Sequence, residues 1–173
     1  QTFRGTNTAI LQPTFSEYAD ACCMHGHKVT SIYRIPLAKD RYLLPEDTRM
    51  LWLCNPNNPT GTVIDKESLI ELIKHNPQVC FVIDQSYEYF TLCPLFAPAE
   101  AAAFPNVLLL HSMTKRYAVP GLRLGYVTGS SGLLARLRTN RMPWSVNQLA
   151  IEAGLYLLEH DVPNPLDVPA YLQ

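Results

Sequence analysis

Short apolar runs alternate along the chain with stretches whose apolar residues recur at helical spacing. The runs predict strands at residues 8–12, 28–33, 49–54, 79–83, 106–110 and 124–128. The run at 79–83, Val-Cys-Phe-Val-Ile, is apolar throughout, which is typical of a central parallel strand.

The helical stretches predict helices at residues 15–25, 65–75, 133–140 and 148–160. Asp65 is placed to cap the second of these helices, with Leu69, Leu72 and Ile73 on its inner face. Prolines at 163, 165 and 169 predict an extended tail over residues 162–173. Strands separated by helices require crossover connections, so the predicted fold class is α/β, a mostly parallel sheet with helices on both faces.

Composition narrows the class of protein. Of 173 residues, 47% are apolar and 17% charged, which argues against intrinsic disorder. A net charge of −1 predicts no nucleic-acid partner, and the absence of a long apolar run predicts no membrane span. The five cysteines include no CxxC pair, which favours a reducing compartment and hence a cytoplasmic location. The five histidines lack zincin spacing, so no metal site is predicted.

Polar and aromatic residues follow the predicted strands in chain order. In an open α/β sheet, ligands bind outside the carboxyl ends of the strands, so we expect these side chains to gather at one edge. The candidates, in chain order, are Phe15, Asn58, Asp84, Tyr87, Ser112, Thr114, Lys115 and Arg123. Taken singly, each has an ordinary structural explanation, such as a core phenylalanine, an Asn-Pro turn, a capping aspartate or a solvated lysine.

The joint spacing of these residues carries a family resemblance. The motifs NPNNPTG at 55–61, DQSY at 84–87 and SMTK at 112–115, followed by Arg123, resemble those of the class I/II aminotransferase superfamily, the fold-type I pyridoxal-phosphate enzymes. The match runs from about residue 15 to residue 129. It implies a three-layer sandwich around a mostly parallel sheet, as in the large domain of those enzymes.

The resemblance implies that the cofactor is pyridoxal 5'-phosphate. Lys115 matches the catalytic lysine that binds the cofactor aldehyde covalently, and Asp84 matches the carboxylate that pairs with the pyridine nitrogen. Tyr87 and Asn58 match the residues that contact the phenolic oxygen of the ring.

The remaining family positions concern the cofactor phosphate and the face of the ring. Arg123 and Ser112 match phosphate ligands, and Thr114 is a further candidate. Phe15 matches the aromatic that stacks on the ring.

A finer resemblance concerns the substrate, a small phosphorylated amino acid or amine. The stretch TKRYAVPGLRLGY at 114–126 is similar to threonine-phosphate decarboxylases of cobalamin biosynthesis. Histidinol-phosphate aminotransferases share the NNPTG motif, and one of them or another class I/II aminotransferase is the alternative. A further alternative is a cofactor-binding piece without catalysis.

Family members are roughly twice this long, beyond the size at which chains divide into domains. We therefore expect the chain to be an inactive fragment, with residues 1–161 as the core of the large domain and 162–173 leading toward a small domain. By the same resemblance, the full-length enzyme is expected to be a homodimer.

Overall fold

Six strands form a sheet in the computed structural model, which describes residues 2–34, 44–160 and 166–171. The strands are β1 (Asn7–Leu11), β2 (Lys28–Ile32), β3 (Met50–Cys54), β4 (Cys80–Asp84), β5 (Val107–Ser112) and β6 (Gly125–Gly129). The helices are α1 (Glu17–Met24), α2 (Lys66–His75), α3 (Pro98–Ala102), α4 (Met113–Arg116), α5 (Ser131–Arg138), α6 (Gln148–Glu159) and α7 (Val168–Tyr171). Short 3-10 helices lie at Glu88–Phe90 and Pro120–Leu122.

The strand order is β2-β1-β3-β4-β5-β6, and the first five strands are parallel. β6 runs antiparallel to β5. The connection between them holds only the four-residue α4 and a three-residue 3-10 helix, too little to carry the chain back over a face of the sheet. The mostly parallel α/β sheet predicted from the sequence is thereby confirmed.

Alternate residues of the central strands pack against different helical layers. Leu51 and Leu53 of β3 join Leu69 and Leu72 of α2 in one buried cluster. Met50, on the opposite face of β3, joins Leu133 of α5 in another. Because helices cover both faces of the sheet, residues on both faces of the central strands are buried, and these strands are apolar throughout.

Most predicted elements are confirmed to within two or three residues. Asp65 caps α2 as predicted, since its carboxylate accepts a hydrogen bond from the Ser68 N–H at 2.9 Å. α5 begins two residues earlier than predicted because Ser130 is its N-cap and accepts from the Leu133 N–H. The short helices α3 and α4 were not predicted.

The prediction of an extended tail is wrong for Val168–Tyr171, which forms α7. Its last turn closes through a hydrogen bond from the Tyr171 N–H to the Asp167 carbonyl at 2.9 Å. Of the predicted tail, residues 162–165 and 172–173 lie outside the described residues.

Among the described helices, none has the length and apolar character needed to cross a membrane. The five cysteines are all free thiols in the structure.

The sheet has a topological switch point between β1 and β3. The connection after β1 runs through α1 to β2 on one side, whereas the connection after β3 runs through α2 to β4 on the other. The two connections cover opposite faces, so the loops that follow β1 and β3 diverge and leave a crevice at the carboxyl edge.

Candidate active site

A cleft at this switch point collects side chains from the carboxyl ends of four strands. Its lining consists of Phe15, Tyr18, Cys54, Asn58, Asp84, Ser86, Tyr87 and Lys115. Five of these positions are ones that the sequence singles out: Phe15, Asn58, Asp84, Tyr87 and Lys115. The motifs are separated along the chain but share an edge because the strands that precede them are parallel neighbours.

The Asp84 carboxylate is held on both of its oxygens. The Tyr18 hydroxyl donates to Oδ2 at 2.5 Å, and the Ser86 backbone N–H donates to Oδ1 at 2.8 Å. Burial, and then the adjacent negative charge of Asp84, raise the pKa of the Tyr18 phenol well above its usual range. Tyr18 therefore stays a donor, and the carboxylate has a defined orientation in the cleft.

Aromatic packing keeps Tyr18 in place. Its side chain is 6% exposed and stacks on Trp52 of β3 with a centroid separation of 5.0 Å. Phe15 meets the Tyr18 ring edge-on at 5.7 Å, yet Phe15 itself is 45% exposed. Phe15 is therefore no core residue, and its ring is available at the cleft.

Hydrogen bonds of Asn55 and Asn57 fix the turn that carries Asn58. Asn55 pairs with the backbone of Ile64, accepting from its N–H at 2.8 Å and donating to its carbonyl at 3.1 Å. Asn57 donates to the Pro13 carbonyl at 2.9 Å and accepts from the Thr14 hydroxyl at 2.9 Å. The Asn57 bonds join the turn after β3 to the loop after β1, and so place Asn58 and Phe15 on one cleft.

Lys115 lies across the cleft from the loop after β4. It belongs to α4, its side chain is exposed, and its Nζ lies 5.7 Å from the centroid of the Tyr87 ring. Tyr87 precedes the 3-10 helix 88–90 and packs edge-on against Phe90 at 5.8 Å. The Lys115 amine thus lies over the Tyr87 ring, and both side chains line the cleft.

The predicted phosphate ligands are not in this lining. Ser112 and Thr114 contact each other, with 2.8 Å between their hydroxyl oxygens. Ser112 lines a neighbouring cavity that is also bounded by His111 and Arg116. Arg123 is exposed, has a left-handed backbone at φ 51°, and donates to the Pro120 carbonyl at 2.9 Å. The structure therefore brings Phe15, Asn58, Asp84, Tyr87 and Lys115 together and leaves these three apart from them.

Comparison with known proteins decides the family. Residues 1–161 match the family model described as aminotransferase class I and II. The chain belongs to the class I and II aminotransferase family. The family resemblance read from the three motifs is confirmed.

Relatives of this aminotransferase-family chain include enzymes with different names. A histidinol-phosphate aminotransferase from Lactiplantibacillus plantarum is 32% identical over 95% of this chain and 48% of its own length. The crystal structure of L-threonine-O-3-phosphate decarboxylase from Porphyromonas gingivalis aligns with a TM-score of 0.89 and 35% identity, over 99% of this chain and 55% of that chain. A histidinol-phosphate aminotransferase from Sinorhizobium meliloti, solved in complex with pyridoxal-5'-phosphate, shares the fold at 19% identity and a TM-score of 0.78, over 91% of this chain and 45% of that chain. The chain thus spans about half the length of these relatives.

Three residues of the cleft were missed by sequence reasoning: Tyr18, Cys54 and Ser86. Tyr18 follows Phe15 by three residues, a spacing that places both near one face at the start of α1, and this signal could have found it. Ser86 lies inside the motif at 84–87, where its contribution is a backbone N–H. Burial raises the pKa of the Cys54 thiol, which donates to the Pro56 carbonyl at 3.1 Å.

The described side chains also bear on metal binding. Across residues 2–34, 44–160 and 166–171, no group of three or more His, Cys, Asp or Glu side chains is placed to hold a metal ion.

Proposed function

We propose that this chain forms the pyridoxal-phosphate-binding part of an enzyme that acts on a phosphorylated amino acid or amine, and that the reaction is decarboxylation of L-threonine phosphate. One observation carries the proposal: the Lys115 amine, the Asp84 carboxylate and the Tyr87 phenol line a single cleft at the carboxyl edge of the sheet. Family membership supports the same cofactor.

The donor set of the cleft fits the chemistry of pyridoxal phosphate. The cofactor presents an aldehyde, a ring nitrogen and a phenolic oxygen, for which an amine, a carboxylate and hydrogen-bond donors are suited partners. When bound, it supplies an electron sink that stabilises negative charge on the substrate carbon. In this chain Lys115 would hold the aldehyde, Asp84 the ring nitrogen, and Tyr87 with Asn58 the phenolic oxygen.

Three side chains of the cleft have further tasks under this proposal. Asp84, oriented by Tyr18 and Ser86, keeps a negative charge opposite the ring nitrogen and favours its protonated form. The exposed ring of Phe15 offers an apolar surface for stacking. Lys115 holds and moves a proton at its Nζ, whose exposure lets it reach a bound substrate.

The predicted phosphate ligands need a different account. Ser112 and Thr114 present two hydroxyl oxygens 2.8 Å apart directly after β5, and Arg123 follows the next turn. We propose that they bind the cofactor phosphate beside the cleft, with Arg123 turning its guanidinium from the Pro120 carbonyl toward the anion.

Two reactions compete for the substrate assignment. The 35% identity to the threonine-phosphate decarboxylase structure extends over 99% of this chain and supports decarboxylation. The 32% identity to a histidinol-phosphate aminotransferase supports amino-group transfer as the second candidate. The two reactions differ in which bond at the substrate α-carbon would break, and the residues that orient the substrate would decide between them.

Cofactor binding is tested with the 173-residue chain and pyridoxal phosphate. After unbound cofactor is removed by gel filtration, we expect an absorption band, shifted to longer wavelength than that of free pyridoxal phosphate, to remain with the protein, and borohydride should fix the cofactor to the peptide that contains Lys115. The Lys115→Ala variant should lose both signals, whereas Lys74→Ala, which removes an exposed lysine of α2, should keep them. Protein that retains no cofactor band, or label spread equally over several lysines, would overturn the proposal.

The reaction is tested with the complete enzyme of which, under this proposal, the chain forms a part. Release of carbon dioxide from L-threonine phosphate is the expected result. Transfer of the amino group of histidinol phosphate to a keto acid, without carbon dioxide release, would instead support the second candidate.

A further inference from the structure

Two consecutive residues after Tyr87 reach across to the residues that flank the Lys115 segment. Glu88 Oε1 lies 3.0 Å from Nδ1 of His111, near the end of β5. The next residue, Tyr89, accepts a hydrogen bond from the guanidinium of Arg116, the residue that follows Lys115. The same guanidinium lies over the Tyr89 ring at 3.9 Å from its centroid.

The His111 end of the first link is held rigidly. Its side chain is only 1% exposed, and its second ring nitrogen, Nε2, lies 3.0 Å from the Thr128 hydroxyl of β6. The ring also stacks on Tyr126 with a centroid separation of 4.5 Å and an interplanar angle of 15°. Because the Glu88 side chain is also only 19% exposed, solvent screens this pair less than it would a surface ion pair.

The elements that carry Tyr87 and Lys115 are too short to hold these side chains by themselves. Tyr87 precedes a 3-10 helix of three residues, and Lys115 lies in a helix of four. Helices of this length are unstable without tertiary contacts. The 5.7 Å between the Lys115 amine and the Tyr87 ring must therefore be set by contacts between the two segments.

We propose that Glu88 and Tyr89 are positioning residues whose links to His111 and Arg116 set the placement of the Tyr87 phenol relative to the Lys115 amine. This inference rests on the proposed function, since it gives Tyr87 a role in holding pyridoxal phosphate. Glu88 and Tyr89 line the neighbouring cavity beside Ser112 and not the cleft itself, and their direct connection to the cleft is the adjoining residue Tyr87. If the links are broken, the phenol moves away from the bound cofactor and cofactor affinity falls.

A double-mutant cycle, in which the affinity for pyridoxal phosphate is measured by titration, tests this inference. Glu88→Ala should weaken cofactor binding about tenfold, because it removes a hydrogen bond that involves a charged group. Glu88→Gln keeps an acceptor for His111 and should restore affinity. The control Glu71→Ala removes an exposed pair with Lys74 on α2 and should bind as the wild type does.

The same cycle separates positioning from general weakening of the fold. In a Tyr87→Phe background, Glu88→Ala should cause no further loss of affinity, because the phenol that it positions is already absent. An equal loss in both backgrounds, or wild-type affinity in Glu88→Ala, would overturn the positioning role. If Glu88→Ala fails to fold, Tyr89→Phe takes its place in the cycle with an expected loss of about threefold.

Failure of the underlying proposal has a different signature. A wild-type chain that does not bind pyridoxal phosphate would overturn both the proposed function and this inference. A wild-type chain that binds it, beside Glu88 and Tyr89 variants that bind equally well, would overturn the positioning role alone.

Discussion

The Tyr18–Asp84 hydrogen bond connects α1 to the end of β4 at the cleft, and the Tyr18→Phe substitution removes the hydroxyl that donates it. Phenylalanine keeps the ring that stacks on Trp52 at 5.0 Å, so packing is preserved. What disappears is the donor 2.5 Å from the Asp84 carboxylate. The change therefore measures mainly one partly buried hydrogen bond to a charged group.

The magnitude follows from the character of that bond. Hydrogen bonds to charged groups contribute about 1.5–3 kcal/mol to folding. We expect Tyr18→Phe to lower the free energy of unfolding at pH 7 by about 2 kcal/mol. With a urea dependence of about 2 kcal/mol per molar, the denaturation midpoint should fall by about 1 M.

The pH dependence gives a second and independent signature. Burial, and then the charge of Asp84, raise the pKa of the Tyr18 phenol above its ordinary value of 10.0. In the unfolded chain the phenol loses its proton near that ordinary value, whereas in the folded chain it keeps the proton. The stability that the neutral phenol contributes is complete below about pH 10 and is lost as the pH rises further. Tyr18→Phe should therefore lose less stability between pH 9 and pH 11 than the wild type.

Urea unfolding followed by tryptophan fluorescence at several pH values measures both effects. Tyr33→Phe is the matched control, because Tyr33 is 74% exposed. An unchanged midpoint at pH 7, or the same alkaline loss of stability in Tyr18→Phe as in the wild type, would refute the reasoning. Some alkaline loss should remain in the variant, since burial and the nearby Glu88 raise the pKa of Tyr126 to about 12.

Three further substitutions test the framework that supports the cleft, each by thermal or urea unfolding. Asp65→Ala removes the cap that accepts from the Ser68 N–H and should cost about 1 kcal/mol; no loss would mean that the cap is unimportant. Gly125→Ala should cost about 1–3 kcal/mol, because the new methyl would lie 2.6 Å from the His111 carbonyl oxygen; wild-type stability would show that β6 can shift freely. Leu51→Ala should lower the free energy of unfolding by about 2–5 kcal/mol, since Leu51 of β3 is fully buried against α2. A loss below 1 kcal/mol would contradict the packing described.

Local patterns were sufficient for most elements. β4 is apolar on both faces because helices cover both, and its sequence shows this directly as an unbroken apolar run. α2 was predictable because its cap and its inner face are both encoded within eleven residues, from Asp65 to His75. α4 could not be predicted, because four residues show no helical period. α7 was hidden by the prolines in and before it.

The order of strands along the chain explains why the site was partly predictable. Once the strands are parallel neighbours, residues that follow them share an edge, so Asp84, Tyr87 and Lys115 were expected together. The spacing from Phe15 is a local signal for Tyr18, but nothing local indicates its partner Asp84, which lies 66 positions away. Such a pair becomes visible only when α1 is packed against the sheet.

The periodicity of apolar residues was enough to specify the α/β class, and the motifs at strand ends, through their resemblance to those of class I/II aminotransferases, indicated the family and the chemical character of the cleft. These properties depend on the spacing of residues that are close in the chain, and such spacing can be read directly from the sequence. The antiparallel direction of β6, the double hold on Asp84 and the links from Glu88 to His111 and Tyr89 to Arg116 depend on the tertiary structure. They arise from which surfaces meet when the layers pack, and that choice is made by the whole core at once.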